Sequence, residues 1–291
     1  MAEDVIWLKK DGVTITVSPL GGAVLSAEWH GTPFLKPTPS PGLASQRLGA
    51  EACFPLVPFG NRIEKNAFRF GGRDYTLTPN TADPLVLHGD CWLTRWTLLA
   101  QKADEIILGC RQEPNGASPF SYEATQTVSI FEDTLALSLT VTNMGAQALP
   151  FGLGFHPYFP RTPATSLTAY ASHCWSERED HLPGSPQQLS RDLNVAVGTT
   201  LPDRWLNNAF DGWDGRAWIK WPETGLALRL KATGLDRFVI YSPSAADGFF
   251  CFEPMSHRPN AHHQQSTGGL FTLSEGSSQT VSITMSCTFE A

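Results

Sequence analysis

The sequence predicts an all-β fold, a large antiparallel sandwich with few or no helices. First, apolar and polar residues alternate with a period of two in several segments, as they do in half-buried strands. Second, 25 Gly and 22 Pro punctuate the 291 residues with turn signals. Third, strand-like segments recur without helical windows of ten or more residues between them, which is typical of antiparallel sheets.

The strand-like segments occur near both ends of the chain and in its middle. The alternating stretches are residues 13–17 (VTITV), 122–130, 134–141 (TLALSLTV) and 280–289 (TVSITMSCTF). They are rich in β-branched and small polar residues, which suit a pleated and half-buried surface. The turn signals between them are KDG at 10–12, FGG at 70–72, ED at 132–133, NMG at 143–145 and PETG at 222–225.

The stretch from residue 160 to residue 208 is the most loop-like part of the chain, with PGSP at 183–186 in its middle. Strand-like segments of the same composition continue on both sides of it. We therefore interpret it as a functional loop region and not as a linker. The expected organisation is one domain over residues 1–291, a length at which a chain buries about 75% of its unfolded surface.

Charge and cysteine content narrow the classes of function. The formal net charge is −7 without a basic cluster, which argues against a nucleic-acid partner. The apolar stretches fall short of the roughly 20 residues that a membrane-spanning helix needs, and the start shows no signal-peptide pattern, so no membrane partner is expected. The six cysteines are widely spaced without a CxxC pair, so buried free thiols and a cytoplasmic location are expected.

Ionisable and aromatic residues concentrate in four short segments among Gly and Pro. The segments are FPLVPFGNRI (54–63), LHG (87–89), GFHPYF (154–159) and FEPMSH (252–257). A single His beside an apolar run is more often a satisfied core residue than an acid. A carboxylate at the end of an apolar strand is costly to bury without a partner, and this directs attention to Glu253.

Together and in this order, the four segments resemble the motifs of the aldose 1-epimerase (mutarotase) family, over residues 49–261. The resemblance implies a β-supersandwich of the galactose mutarotase-like type that holds a free sugar in an open cleft. By motif position, Glu253 resembles the general base that takes the proton of the anomeric hydroxyl, and His156 resembles the general acid that protonates the ring oxygen. The positions that resemble substrate-contacting residues are Arg62 and His88, and Asn61 is a further candidate for sugar hydroxyls because it stands beside Arg62.

The chemistry of anomer exchange requires the same two groups. Opening a cyclic hemiacetal removes a proton from the C1 hydroxyl and delivers another to the ring oxygen, and reclosure reverses both transfers. One acid and one base suffice, each worth about 10²–10⁴-fold, and no metal or cofactor is required. An ionised Glu is expected to keep the His protonated. Aromatic candidates for stacking on the sugar are Trp92, Tyr158 and Trp213.

One position departs from the family pattern. In the segment at 206–213, family members often carry an Asp that binds sugar hydroxyls three residues before a Phe, and the matching residue here is Asn207. An Asn still donates and accepts hydrogen bonds but carries no charge. The departure therefore bears on sugar preference. Asp211, four residues further on, is the candidate substitute.

Two other functions remain open as alternatives. A hexose-6-phosphate 1-epimerase would need at least one further cation for the phosphate. The arginines nearest to the motifs are Arg47, Arg69 and Arg95, and none falls in a recognisable phosphate motif. A non-catalytic sugar-binding or regulatory module would keep the cleft, although it has no need of an acid and a base on opposite sides of one sugar. The oligomeric state is left open.

A metal site is not expected from the histidines near residue 260. The spacing of His257, His262 and His263 matches no helix-borne metal motif, and Pro259 would break a helix between them. Solvated loop histidines are the expectation for all three.

Overall fold

The computed structural model describes residues 5–38, 49–264 and 268–290. Within these ranges the chain forms 24 β-strands and no α-helix, with five single-turn 3-10 segments. The all-β prediction is therefore confirmed. The 3-10 segments are Glu64–Asn66, Cys91–Leu93, Val195–Val197, Ala245–Asp247 and Ala261–His263.

The strands are short, and most are joined by tight turns. The first twelve are β1 (Ile6–Lys10), β2 (Val13–Ser18), β3 (Ala23–Trp29), β4 (Thr32–Leu35), β5 (Cys53–Leu56), β6 (Ala67–Phe70), β7 (Arg73–Thr76), β8 (Thr97–Gln101), β9 (Glu105–Gln112), β10 (Tyr122–Phe131), β11 (Thr134–Asn143) and β12 (Leu149–Phe151). The other twelve are β13 (Gly154–Pro160), β14 (Ser166–Ala169), β15 (His173–Glu177), β16 (Pro183–Gln187), β17 (Thr199–Thr200), β18 (Leu206–Asp211), β19 (Arg216–Trp221), β20 (Leu226–Thr233), β21 (Arg237–Ser242), β22 (Phe249–Met255), β23 (Phe271–Leu273) and β24 (Ser278–Phe289).

Two large antiparallel sheets contain most of these strands. The larger sheet has eleven strands in the order β1-β2-β3-β5-β13-β22-β21-β18-β15-β16, with β4 beside β3. The second sheet has nine strands in the order β17-β14-β19-β20-β24-β11-β10-β9-β8. Two small pairs, β12 with β23 and β6 with β7, complete the fold. The four alternating stretches of the sequence lie in β2, β10, β11 and β24, as predicted.

The loop-like stretch from residue 160 to residue 208 contains more regular structure than its composition indicates. It holds β14, β15, β16 and β17, and β18 begins at its end. The segment with two prolines is β16, which lies at the edge of the larger sheet and pairs only with β15 among the described strands. An edge strand tolerates proline because the missing N–H faces no second neighbour. The interpretation of this stretch as a loop is corrected accordingly.

The central strands of the larger sheet have two different faces. One face packs in the core together with residues of the nine-stranded sheet, as Phe155, Phe252 and Leu137 show. The other face carries a smaller apolar cluster that includes Phe54 and Tyr158. Because side chains alternate along a strand, the core residues Phe155 and Phe252 are followed by His156 and Glu253, whose side chains point to the other face. The core therefore fixes the backbone on which the motif side chains stand.

The six cysteines are all buried and free of disulfides, as expected for structural thiols. In the part of the chain that the structure describes, no helix is long and apolar enough to span a membrane.

Candidate functional site

A cleft of about 340 Å³ opens on the face of the larger sheet that points away from the main core. Adjacent strands β5, β13, β22, β21 and β18 supply part of its lining, and the turns around residues 61 and 88 supply another wall. Eight residues singled out from the sequence line it: Asn61, Arg62, His88, Trp92, His156, Tyr158, Asn207 and Glu253. Sequence reasoning missed Phe54, Thr81, His181, Trp205 and Tyr241, which also line it.

His156 and Glu253 form a buried pair at the base of this cleft. They stand on neighbouring antiparallel strands, β13 and β22, whose register pairs Gly154 with Met255 and Tyr158 with Cys251. This register places His156 opposite Glu253, and Nε2 of the imidazole lies 3.3 Å from Oε1 of the carboxyl group. The two side chains are only 6% and 3% exposed. Backbone pairing therefore holds the two groups at a distance that permits proton transfer.

Burial dominates the electrostatics of the pair. It lowers the pKa of His156 to about 3. It also raises the pKa of Glu253 to about 8, although the positive charge of Arg62 acts in the opposite direction. The neutral forms are thus favoured at both positions, and near pH 7 the pair holds one proton. This corrects the expectation that an ionised Glu keeps the His protonated in the free protein.

The imidazole of His156 packs against two aromatic rings. Its centroid lies 4.6 Å from that of Phe54 and 4.9 Å from that of Tyr158, and both neighbours are nearly parallel to it. The Tyr158 hydroxyl donates to the carbonyl oxygen of Gly49 at 2.7 Å, which fixes this ring in turn. The centroids of Phe54 and Tyr158 are themselves 6.5 Å apart, so the two rings lie on adjacent sides of the imidazole and restrict its orientation.

The pair retains polar atoms without partners. Nδ1 of His156 and Oε2 of Glu253 are buried and make no hydrogen bond to any residue in the described ranges. A buried polar atom without a partner costs about 1–3 kcal/mol. Buried polar atoms without partners are rare, and functional sites are one of the places where their cost is tolerated.

His88 and Asn61 form a second part of the site and hold each other in place. The backbone N–H of Asn61 donates to Nδ1 of the His88 ring at 3.0 Å. The backbone N–H of His88 donates to the backbone carbonyl oxygen of Asn61 at 2.9 Å. Both residues have left-handed backbone conformations, with φ of 59° and 58°, which cost free energy in non-glycine residues. Burial keeps the pKa of His88 well below its ordinary value. A neutral His88 that accepts at Nδ1 carries its proton on Nε2.

Arg62 provides the positive charge of the cleft and is itself paired. Its Nε donates to Oδ2 of Asp83 at 2.9 Å, and Nη2 lies 2.7 Å from the same oxygen. The side chains of Arg62 and Asp83 are only 14% and 17% exposed. Asp83 therefore orients the guanidinium and balances its charge, and Nη1 is the terminal nitrogen that it does not engage.

Another wall consists of His181, Trp205 and Asn207, around the ends of β15 and β18. Asn207 Nδ2 donates to Oε1 of Glu177 at 2.7 Å, and Trp205 Nε1 donates to Oε2 at 2.7 Å. His181 Nδ1 lies 2.5 Å from Oε1 of the same carboxylate. Glu177 was not recognised from the sequence, because it lies in no motif and the stretch around it reads as a loop.

Two expected contacts of the cleft are corrected. Asp211 is on the same face of β18 as Asn207, but four residues of strand carry it about 13 Å further along. Its carboxylate accepts from Arg258 Nε at 2.7 Å and from Trp175 Nε1 at 2.7 Å, so it is neutralised outside the cleft. Trp213 packs in the core against Phe238 and Phe252 and does not line the cleft.

The histidines near residue 260 have three different environments. His257 is fully buried, and its Nε2 accepts from the Gly60 N–H at 3.0 Å, so it supports the turn before Asn61. His262 packs against the rings of Phe59 and Phe68. His263 is exposed. The expectation of solvated histidines is wrong for His257 and also for His262, whose Nε2 is buried. Sequence spacing could not distinguish these two from the exposed His263. In the described ranges, no group of three possible ligands is arranged to hold a metal ion.

Comparison with known proteins places this geometry in a family context. The family model described as aldose 1-epimerase matches residues 4–286. A relative from Escherichia coli K12, the uncharacterised protein YphB, is 39% identical, and the match covers 94% of this chain and 95% of the relative. A crystal structure from the same organism, of a protein whose aldose 1-epimerase assignment is provisional, superposes with a TM-score of 0.92 at 36% identity, covering 98% and 99% of the two chains. A galactose mutarotase-like protein from Clostridium acetobutylicum shares the fold at 17% identity, with a TM-score of 0.86 and coverage of 99% and 96%.

Proposed function

The chain belongs to the aldose 1-epimerase family, and on this premise we propose that it interconverts the α and β anomers of a free aldohexose by acid/base ring opening and reclosure. The observation that carries the proposal is the buried pair of His156 and Glu253, 3.3 Å apart at the base of the cleft. The proton that the pair holds near neutral pH gives it one donor and one acceptor at the same time. Anomer exchange needs one of each.

In the proposed mechanism, Glu253 is the base for the C1 hydroxyl and His156 is the acid for the ring oxygen. Since burial favours a protonated Glu253 in the free protein, its proton must first pass to Nε2 of His156. A sugar hydroxyl that donates to the carboxylate stabilises the ionised form and drives this transfer. Ring opening moves the C1 hydroxyl proton to Glu253 and the imidazolium proton to the ring oxygen. After rotation about the C1–C2 bond, reclosure returns both protons.

Other residues of the cleft are suited to hold the sugar. In the proposed complex, Nε2–H of His88 and Nη1 of Arg62 donate to hydroxyl oxygens. The Oδ1 atom of Asn61 accepts from the backbone N–H of Arg62 at 2.9 Å. The side-chain nitrogen of Asn61 is therefore the group offered to a ligand. The faces of Trp92 and Tyr158 supply apolar surface for the C–H groups of the ring.

A free sugar is favoured over a phosphorylated one by the charge of the cleft. Among the described residues, Arg62 is the only arginine or lysine that lines it, and Asp83 neutralises that charge. Arg69 pairs with Asp74 on the β6–β7 hairpin, and Arg95 lines a different pocket. Arg47 lies outside the described residues. A phosphate dianion would gain little from this arrangement.

Catalysis is favoured over binding alone by the cost of the buried pair. A sugar-binding module could form hydrogen bonds with groups that do not titrate, whereas this cleft buries two titratable groups, and burial moves the pKa of His156 down to about 3 and that of Glu253 up to about 8. Strongly shifted pKa values in a cleft are typical of acid/base catalysts.

The test is direct measurement of anomer exchange. Polarimetry on freshly dissolved α-D-glucose and α-D-galactose, with exchange NMR at equilibrium, should show concentration-dependent acceleration by the protein. The same assay on glucose 6-phosphate should show a lower kcat/KM than on glucose. A protein that binds these sugars without acceleration would be a binding module. A strong preference for the phosphate would instead identify a hexose-6-phosphate epimerase.

The pH dependence of kcat/KM follows from the shared proton. Glu253 has a pKa raised to about 8, so above pH 8 the pair loses its proton and no acid remains for the ring oxygen. We therefore expect kcat/KM to be level from about pH 5 to pH 7 and to fall about tenfold per unit well above pH 8. Anomer exchange is also catalysed by hydroxide, so the uncatalysed rate at each pH must be subtracted. A profile that rises through pH 8 would contradict this assignment.

A further inference from the structure

Glu177 contacts three residues of one cleft wall without lining the cleft itself. Its Oε1 accepts from Asn207 Nδ2 at 2.7 Å, and its Oε2 accepts from Trp205 Nε1 at 2.7 Å. His181 Nδ1 lies 2.5 Å from Oε1. The side chain is only 17% exposed. A single carboxylate behind the wall is therefore bonded to Asn207, Trp205 and His181, all of which line the cleft.

These contacts determine which atom of Asn207 meets a ligand. An amide has a donor end and an acceptor end, whereas an ionised carboxylate can only accept. The nitrogen of Asn207 must therefore face Glu177, and the oxygen Oδ1 is the polar atom that remains for the cleft. Without Glu177, the amide could rotate and present either end.

We propose that Glu177 is a positioning residue that makes the Asn207 wall of the cleft a fixed acceptor for one sugar hydroxyl. The inference rests on the proposed function for the nature of the ligand, a neutral sugar. It assigns to this wall a preference for a hydroxyl that donates, and Trp205 is fixed beside it by the same carboxylate. An anionic substituent placed here would face the acceptor oxygen with the charge of Glu177 behind it.

The pairing also predicts how the wall responds to a change of charge. Asn207→Asp would replace the donated hydrogen bond with two carboxylates in contact, and one of them must either move or take up a proton. We expect sugar affinity to fall about tenfold at pH 8, which corresponds to about 1.4 kcal/mol. Glu177→Gln alone removes an acceptor from Asn207, Trp205 or His181, and we expect a loss of about threefold to tenfold.

The double variant provides the decisive test. With Glu177→Gln and Asn207→Asp together, an amide nitrogen at the Oε1 position can donate one N–H to the new carboxylate and the other to Nδ1 of a neutral His181, which accepts there in its other tautomer. The new carboxylate again presents an acceptor to the cleft. We expect the affinity for glucose and galactose, measured by titration calorimetry, to return to within about threefold of the wild type. In the anomer exchange assay, KM should follow the affinity while kcat changes less than about twofold. Asn207→Asp binding as tightly as the wild type, or a double variant no better than the single ones, would overturn the proposal.

Controls separate positioning from folding. Glu179 is exposed two residues after Glu177, so Glu179→Gln should leave affinity and KM unchanged. Thermal unfolding midpoints identify a variant that is not folded. For that case, a ligand series on the wild type replaces each sugar hydroxyl in turn with fluorine, which does not donate. At least one such sugar should bind about tenfold more weakly, and that difference should disappear in Asn207→Ala. Equal binding of the whole series would also overturn the proposal.

The readouts keep this inference distinct from the proposed function. Coupling between the two positions in sugar affinity, without any anomer exchange by the wild type, would support the role of Glu177 and reject the epimerase. Anomer exchange by the wild type without such coupling would support the epimerase and reject the role of Glu177.

Discussion

Glu253→Gln is expected to lower kcat for anomer exchange by about 10²–10⁴-fold. The amide has nearly the shape of the carboxyl group, so the register of β13 and β22 is retained. It can neither take the proton of the C1 hydroxyl nor exchange a proton with His156 across the 3.3 Å that separates the two groups. Because the carboxyl group with the pKa of about 8 is then absent, any residual activity should also lose its decline above pH 8.

Polarimetry on galactose at pH 7, with calorimetry to confirm that the sugar still binds, measures this effect. Glu123→Gln is the matched control, because Glu123 is exposed and pairs with Arg111 on the other sheet. The control should have wild-type activity. If Glu253→Gln retained more than about a tenth of the wild-type kcat, Glu253 would not be the base.

His156→Asn is expected to produce a loss of similar size, about 10²–10⁴-fold in kcat. Asn has no group that titrates, so it cannot deliver a proton to the ring oxygen. It also removes the ring that packs against Phe54 and Tyr158. His173→Asn, at an exposed position of β15, is the control and should be fully active.

The effects of the substitutions at His156 and Glu253 should not be additive. If His156 and Glu253 act on one shared proton, removing the second group after the first has little left to impair. The variant with both substitutions is therefore expected to be no more than about threefold slower than the slower single variant. A loss equal to the product of the two single effects would show that the groups act independently.

The fold and the residues of the His156–Glu253 pair could be predicted because their signals are local. Alternation in residues 134–141 reports a strand without reference to its partners, and β11 is found there. The motifs around His156 and Glu253 are each a few residues long, and their order along the chain carries the resemblance. The family match and the similar structures confirm that resemblance.

The second wall of the cleft could not be predicted because it depends on pairings across the sheet. Glu177 meets Asn207 only because β15 and β18 are neighbours in the sheet, and no pattern within residues 160–208 shows that pairing. The same limit explains Asp211. Its distance along the sequence made it a candidate, whereas the rise of the strand and the two nearby arginines exclude it from the cleft.

The prolines of β16 have a consequence for solubility. A large sheet ends in strands whose free N–H and C=O groups can recruit a strand from another molecule, and such growth leads to aggregation. Pro183 and Pro186 lie in β16, at the edge of the larger sheet, and each lacks the N–H that an incoming strand would require. Pro183 pairs with Glu177 in the ladder. The residue that orders the cleft wall is thus shielded by a strand that is poorly suited to further pairing.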